Sequence, residues 1–483
     1  MKNSINYLFL LLLLVVPLLS CDQFSIENQL KPGDAFREQK QWDSALTEYN
    51  KVIQANPRSA IAYNRRGTVY QEKKQYDAAI ADFTKAIELK PDYAEGYANR
   101  GNVYVLAGKP DMALPDFNKA IELQPNYPTA YQSRGVYYQL NKKFDLAIAD
   151  FSKAITIDPK FAPAYEARAD LYVSLGKWNE ALADYTKIVE LVPNSAVAYL
   201  KRGNSYTATK QWDLAVADIT RAIQINPNNP EAYMNRGSMY MDLGKADLAI
   251  ADFDQTIKLA PNYVLAYAFR GDASMMLKQW DKASVDYSKY IELVPNAARG
   301  YLSRAKAYYQ QGKTELALSD FNKAVQTSPN DFNALFWRGD YYLLNGKSDL
   351  AIADFNKAIE ILPSFAETYN SRGKAYLQLN KLDSAIADFN KVIELLPNHP
   401  GGYINRALAN VQKGLTNAAL SDLNKAIELN PNLADGYFNR GLLFKTRKEP
   451  TQAIADFRKV IELTKDQTMI TKAQENLREL GVK

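Results

Sequence analysis

The chain has 483 residues, 47% of them apolar and 23% charged, and 59 Lys and Arg stand against 54 Asp and Glu for a formal net charge of +5. A single cysteine and a single histidine exclude internal disulfides and the common zinc sites. Interleaved charges without a basic run exclude the footprint of a nucleic-acid binder, and no nucleophile elbow, Walker loop or dinucleotide fingerprint marks a small-molecule substrate or cofactor.

Residues 1–21, MKNSINYLFLLLLLVVPLLSC, place Lys2 ahead of an apolar run from Tyr7 to Leu19. That run is too short to span a bilayer as a mature helix and suits the core of a signal peptide. The ending Leu18-Leu19-Ser20-Cys21 resembles a bacterial lipobox. The resemblance implies a lipoprotein signal peptide over 1–20, cleaved to leave Cys21 as an acylated first residue. Two or three acyl chains, at about 0.8 kcal/mol per buried methylene, hold a chain at a bilayer durably. The expected location is then the cell envelope, anchored to the inner or outer membrane and facing the periplasm. Without Lys2 the charge is 58 basic against 54 acidic residues, a formal +4. Residues 21–31 are expected to be the lipidated N-terminus and tether, and Pro32 is expected to open a truncated first helix.

From there one pattern repeats. Prolines fall at 57, 91, 125, 159 and every thirty-four residues onward to 431. With that proline as position 32, the first repeat runs from Ile26 to Ser59 and the thirteenth from Ala434 to Gln467, where Lys465 replaces the proline. Position 8 is Gly in ten repeats and Ala in three, and position 20 is Ala in all thirteen. Small residues at both places allow two helix axes to approach closely. Larger apolar groups at 4 and 11 share a helical face with position 8, and 20, 24, 27 and 28 share another. Asp43, Asp77, Asp145, Asp213 and Asp281 sit where the second helix opens and are expected to cap it. The proline then ends that helix. Each repeat is predicted to be an antiparallel helix pair.

These residues, most clearly AIAYNRRGTVYQEKKQYDAAIADFTKAIELKPDY from Ala60 to Tyr93, resemble the tetratricopeptide repeat family. The resemblance implies an all-α fold, a right-handed α-solenoid of thirteen 34-residue helix-turn-helix repeats over residues 32–467, the first of them truncated. It also implies that the first helix of each repeat, helix A, lines a concave groove that binds other proteins. After the array, Met469, Ala473, Leu477 and Leu480 share one face, and 468–483 is predicted to be a capping helix. Some members of the family hold a C-terminal carboxylate with a Lys at position 5, and no repeat here has Lys or Arg there.

One feature departs from the family pattern. Position 7 is Arg and position 23 is Asp in all twelve repeats from the second onward, including Arg66 with Asp82, Arg100 with Asp116, Arg236 with Asp252 and Arg372 with Asp388. Charges that arrive together in every copy predict an Arg and Asp ladder joining helices A and B, within a repeat or between neighbours, with each Arg also near the Tyr of position 4.

The variable helix A positions are 2, 5, 6, 9, 12 and 13. In repeats two to six they are mostly polar, as at Asn64, Thr68, Asn102 and Asn204. In repeats seven to ten they become Met234, Met241, Phe269, Met275, Met276, Leu302, Tyr309, Phe336, Trp337, Leu343 and Leu344. Met and aromatic groups on a concave wall make an adaptable apolar surface, and this is the predicted partner-binding groove. His399 lies in a Pro-Asn-His-Pro turn, a solvated loop position. The expected function is a non-catalytic scaffold for partner peptides or proteins, with the lipid bilayer engaged only through Cys21 and a role in envelope assembly, secretion or wall maintenance. The alternative is a chaperone or regulatory subunit for an exported enzyme or polypeptide.

Overall fold

The computed structural model describes residues 19–482, with side chains from Ile26 onward. The signal-peptide and lipidation expectations for residues 1–20 and for the Cys21 thiol lie outside the described residues and side chains. Among the described residues there are twenty-seven helices and no strand. None of those helices is long and apolar enough to cross a membrane.

Helix A occupies positions 1–13 and helix B positions 17–30, as in Ala60–Glu72 and Tyr76–Leu89. Position 20 is fully enclosed throughout, from Ala45 to Ala453. What fills the space over position 8 is the side chain of position 24, an aromatic ring in every repeat except the sixth and twelfth, which have Ile219 and Leu423. A Cβ built on Gly67 would meet Phe83 at 2.8 Å, and one on Gly373 would meet Phe389 at 2.6 Å. Where position 8 is Gly and position 24 is Phe or Tyr, the missing side chain is therefore the socket for a buried aromatic ring, a fit that builds the core of those repeats.

Between the two helices the backbone turns through the left-handed region at position 15, which is Gly at 108, 176, 244, 312, 346 and 414, Asn at 380, and Lys at 40, 74, 142, 210, 278 and 448. In repeat two the amides of Lys74 and Gln75 donate back to the carbonyls of Gln71 and Tyr70 at 2.9 and 2.8 Å, closing the end of helix A. Asp43 and Asp77 do not cap helix B, correcting the expectation: the cap positions are Gln41 and Gln75, and each Asp sits one residue into the first turn. There it favours the positive end of the helix dipole. On this exposed rim Asp43 and Asp77 also pair with Lys73 and Lys109 of the following repeat.

Two further differences concern the start of the array. The first helix runs Leu19–Glu38 with Pro32 inside it, so it is not truncated and residues 21–31 are not a free tether. Leu30 is buried with Tyr49, Val52 and Val69, and Ile26 packs against the same cluster. Pro32 lies on the exposed side of the helix, as does Asn28, whose carbonyl it cannot donate to.

The chain forms two compact parts that divide at Met239 and Tyr240. In each part, next-but-one contacts join helices A of successive repeats, among them Ala94–Leu106 with Pro128–Leu140 in the first and Phe332–Leu344 with Ala366–Gln378 in the second. Closer approach of helices A puts them on the inner side of each stack. In the second part the last helix, Gln467–Glu479, is capped by the Asp466 carboxylate and buries Ala473 and Leu477 against the thirteenth repeat.

The Arg of position 7 spans both kinds of contact. Arg66 donates through Nε and Nη2 to Asp82 Oδ2 and Oδ1 at 2.8 and 2.7 Å within its own repeat, and through Nη1 to Asn50 Oδ1 of the preceding repeat at 2.6 Å. Arg100 does the same to Asp116 at 2.7 and 2.8 Å and to Thr84 at 3.1 Å. Arg372 repeats it on Asp388 and Asn356. Arg236 reaches Thr220 Oγ1 of the repeat before it at 3.0 Å, and Asp252 is buried. Each guanidinium also lies over a ring; Arg66 has Tyr63 and Tyr70 at 5.4 and 5.8 Å. Its charge is held firmly, with the hydrogen bonds it donates to Asp82 raising its pKa further.

Candidate functional site in the second part

With the position 7 arginines engaged by Asp on one side and by the preceding repeat on the other, the variable face of helix A carries the free chemistry. The structure sorts the predicted groove residues into two groups. Met234, Leu302 and Leu343 are only 5%, 7% and 6% exposed. They are corrected to core: Leu302 packs with Ala305, Phe321 and Ala334, and Leu343 with Phe355 and Ala375. These three, at positions 5 and 12, are enclosed by the packing of neighbouring helices. Phe336 is half-buried at the centre of a ring cluster, with its centroid 5.8 Å from Trp337, 5.9 Å from Phe332, 5.7 Å from Phe365 and 6.1 Å from Phe355. Met241 and Phe269 are half-buried as well.

Met275, Tyr309, Trp337 and Leu344 are brought together. They line a half-open pocket of about 170 Å³ with Lys306, Gln310, Phe321, Asp340 and Tyr341. Met276, Trp337 and Leu344 are exposed at 51%, 37% and 60%. The pocket lies between the helices A Ala298–Gln310 and Phe332–Leu344, with Phe321 of helix B behind it. Trp337, Asp340, Tyr341 and Leu344 present one face because they are three and four residues apart. Tyr309 and Tyr341 meet edge to face at 5.9 Å, which stiffens the floor. A cavity of roughly 150 Å³ accepts a benzene-sized group, so this one admits a single apolar side chain of leucine to phenylalanine size.

Two charged groups in that wall were not singled out by the apolar pattern. The Lys306 ammonium stands over the Trp337 ring, 4.0 Å from its centroid. Burial lowers its pKa to about 8, against the opposing pull of Asp272 and Asp331. Asp340 is half-buried, and burial raises its carboxyl above the usual carboxylate range. The sequence signal for both was position 9, which alternates Asp272, Lys306, Asp340 and Lys374 over repeats eight to eleven. Among the described residues no group of three or more His, Cys, Asp and Glu could hold a metal ion. His399 is an exposed residue at the start of the helix Pro400–Gln412. The site can offer shape, an apolar floor and two fixed charges; it presents binding groups.

Protein-family models agree with this architecture. Family models described as tetratricopeptide repeat match residues 60–93, 94–127, 128–161 and 366–399, 302–366, 203–277 and 434–467, and one described as TPR repeat matches 33–74, 169–210 and 411–446. No curated protein matches the chain. Among solved structures, the anaphase-promoting complex hetero-tetramer Cut9–Hcn1 is 16% identical with a TM-score of 0.42, over 94% of this chain and 96% of that one. A tetratricopeptide repeat protein from Parabacteroides merdae is 21% identical with a TM-score of 0.43, over 52% and 98%. The MamA protein is 28% identical with a TM-score of 0.34, over 34% and 91%. The matched repeats, the helix pairs and the filled Gly sockets place the chain in the tetratricopeptide repeat family.

Proposed function

We propose that this chain is a non-catalytic scaffold that binds partner peptides or proteins along the helix A face of its second part, with the pocket between Lys306, Trp337 and Asp340 as the anchor. The observation that carries this is the open apolar pocket with exposed Trp337, Leu344 and Met276 around it, on the inner side of the stack. Folded surfaces keep a tryptophan and a leucine together in a preformed cleft where something else covers them. Tethering through acylated Cys21 and a location facing the periplasm complete the proposal, supported by the lipobox-like ending at Leu18-Leu19-Ser20-Cys21. A place in envelope assembly, secretion or wall maintenance follows from that location.

The test combines two variants. Trp337→Ser with Leu344→Ser is expected to abolish crosslinked partner capture from membranes while leaving the helical spectrum intact. Cys21→Ser is expected to eliminate incorporation of labelled palmitate and to release the chain from the membrane fraction. Partner capture that survives the first variant would refute the site. A chain that fractionates unchanged after the second would refute the tether.

A further inference from the structure

Four repeats carry Asp at position 9 of helix A: Asp34, Asp170, Asp272 and Asp340. In the first three, position 24 of the same repeat is Tyr rather than Phe, and its hydroxyl donates to the carboxylate. Tyr49 reaches Asp34 at 2.7 Å, Tyr185 reaches Asp170 at 2.5 Å and Tyr287 reaches Asp272 at 2.7 Å. A base from the next repeat completes each arrangement: Arg65 at 3.7 Å, Lys201 at 2.8 Å and Arg299 at 2.8 Å. Tyrosine at 24 and Asp at 9 thus travel together, as a partly exposed carboxylate with its donor supplied.

The tenth repeat breaks the rule. Its position 24 is Phe355, which has no hydroxyl and is fully buried, and among the described residues none gives Asp340 a hydrogen bond or an ion pair. Lys374 and Glu367 act on it only at a distance and with opposite signs. This carboxylate, which the other repeats satisfy internally, is instead on the wall of the pocket. The other charge there, Lys306, is taken up by the Trp337 ring.

We propose, resting on the binding role given above, that the pocket takes a peptide in which a leucine- to phenylalanine-sized side chain is next to an arginine or lysine. The apolar side chain fills the space over Phe321 and Tyr341, and the basic group donates to Asp340 in the place that a Tyr hydroxyl holds in repeats one, five and eight. Arginine suits this best, since its donor fork matches a carboxylate with two free oxygens.

Three fluorescein-labelled hexapeptides test it, with a central leucine flanked by Arg, by Gly or by Glu, titrated by polarisation against the full chain. The expected order of affinity is Arg, then Gly, then Glu. Asp340→Asn is expected to weaken the Arg peptide about tenfold, the scale of a lost charge-assisted hydrogen bond, and so to narrow the preference for Arg over Gly. Phe355→Tyr restores the internal donor by the rule of the other repeats, and is expected to keep the fold while also lowering the preference for Arg. Equal binding of the Arg and Glu peptides, or an order unaltered by both substitutions, would overturn this proposal and leave the scaffold reading in place. No binding of any of the three would overturn both.

Discussion

Replacing Arg372 with Met removes the guanidinium from Asp388 while keeping an unbranched chain in its place. Asp388 is 5% exposed and receives bonds of 2.8 and 2.7 Å from Arg372, whose third donor reaches Asn356 of the preceding repeat at 2.7 Å. Its rings, Tyr369 and Tyr376, lie 5.5 and 5.9 Å away. Breaking a buried pair from one side leaves a desolvated charge, a loss of about 3–5 kcal/mol, and the partial exposure of the Arg puts this case near about 3. Removing both charges, with Arg372→Met and Asp388→Leu together, is expected to cost about 1 kcal/mol or less, giving a coupling of at least about 2 kcal/mol once the loss in the Asp388→Leu single is also subtracted. The assay is urea unfolding, with amide exchange reporting on repeats ten to twelve, because a stack of repeats loses stability locally. Burial already raises the Asp388 carboxyl against the opposing hydrogen bonds and charge of Arg372, so without Arg372 it rises further. A folded pKa above the unfolded one contributes stability at low pH that is lost as pH rises. The single variant should therefore recover as pH falls from 7 toward about 5. A loss below about 0.5 kcal/mol in the single variant, or a double variant as damaged as the sum, would refute the ladder as a coupled spine.

The Gly socket makes a graded prediction: Gly373→Ala, whose Cβ would meet the buried Phe389 ring at 2.6 Å, is expected to cost about 1 kcal/mol in thermal unfolding, and Gly373→Val about 3 kcal/mol by displacing Phe389 further. Lys306, with a pKa lowered to about 8 by burial, should be half neutral at that pH, when an ordinary lysine is roughly 0.3% neutral, so it should acylate well ahead of exposed lysines in peptide mapping, and a bound peptide should protect it. Because a depressed folded pKa costs stability that returns only as pH rises from about 8 to 10.5, Lys306→Met should be more stable than the parent at pH 7 by roughly 1 kcal/mol, an advantage gone near the upper end of that window.

The periodic proline, the Gly or Ala at 8 and the Ala at 20 specify helix pairs because they act through local backbone and size, which a linear sequence displays directly. The left-handed residue at position 15 was not read from the sequence, because Lys fills that place in six repeats and masks the recurrence of Gly and Asn there. Leu302, Leu343 and Met234 looked like groove because periodicity gives the face of a helix but not how far the next helix A overlaps it. Asp340 is the clearest case of what only packing decides. The sequence shows four Asp residues at one position, three with a Tyr fifteen residues on and one with a Phe. That this difference leaves a carboxylate without a donor inside an apolar pocket follows from the distance between helix A and helix B, which side-chain fit sets and the chain order does not.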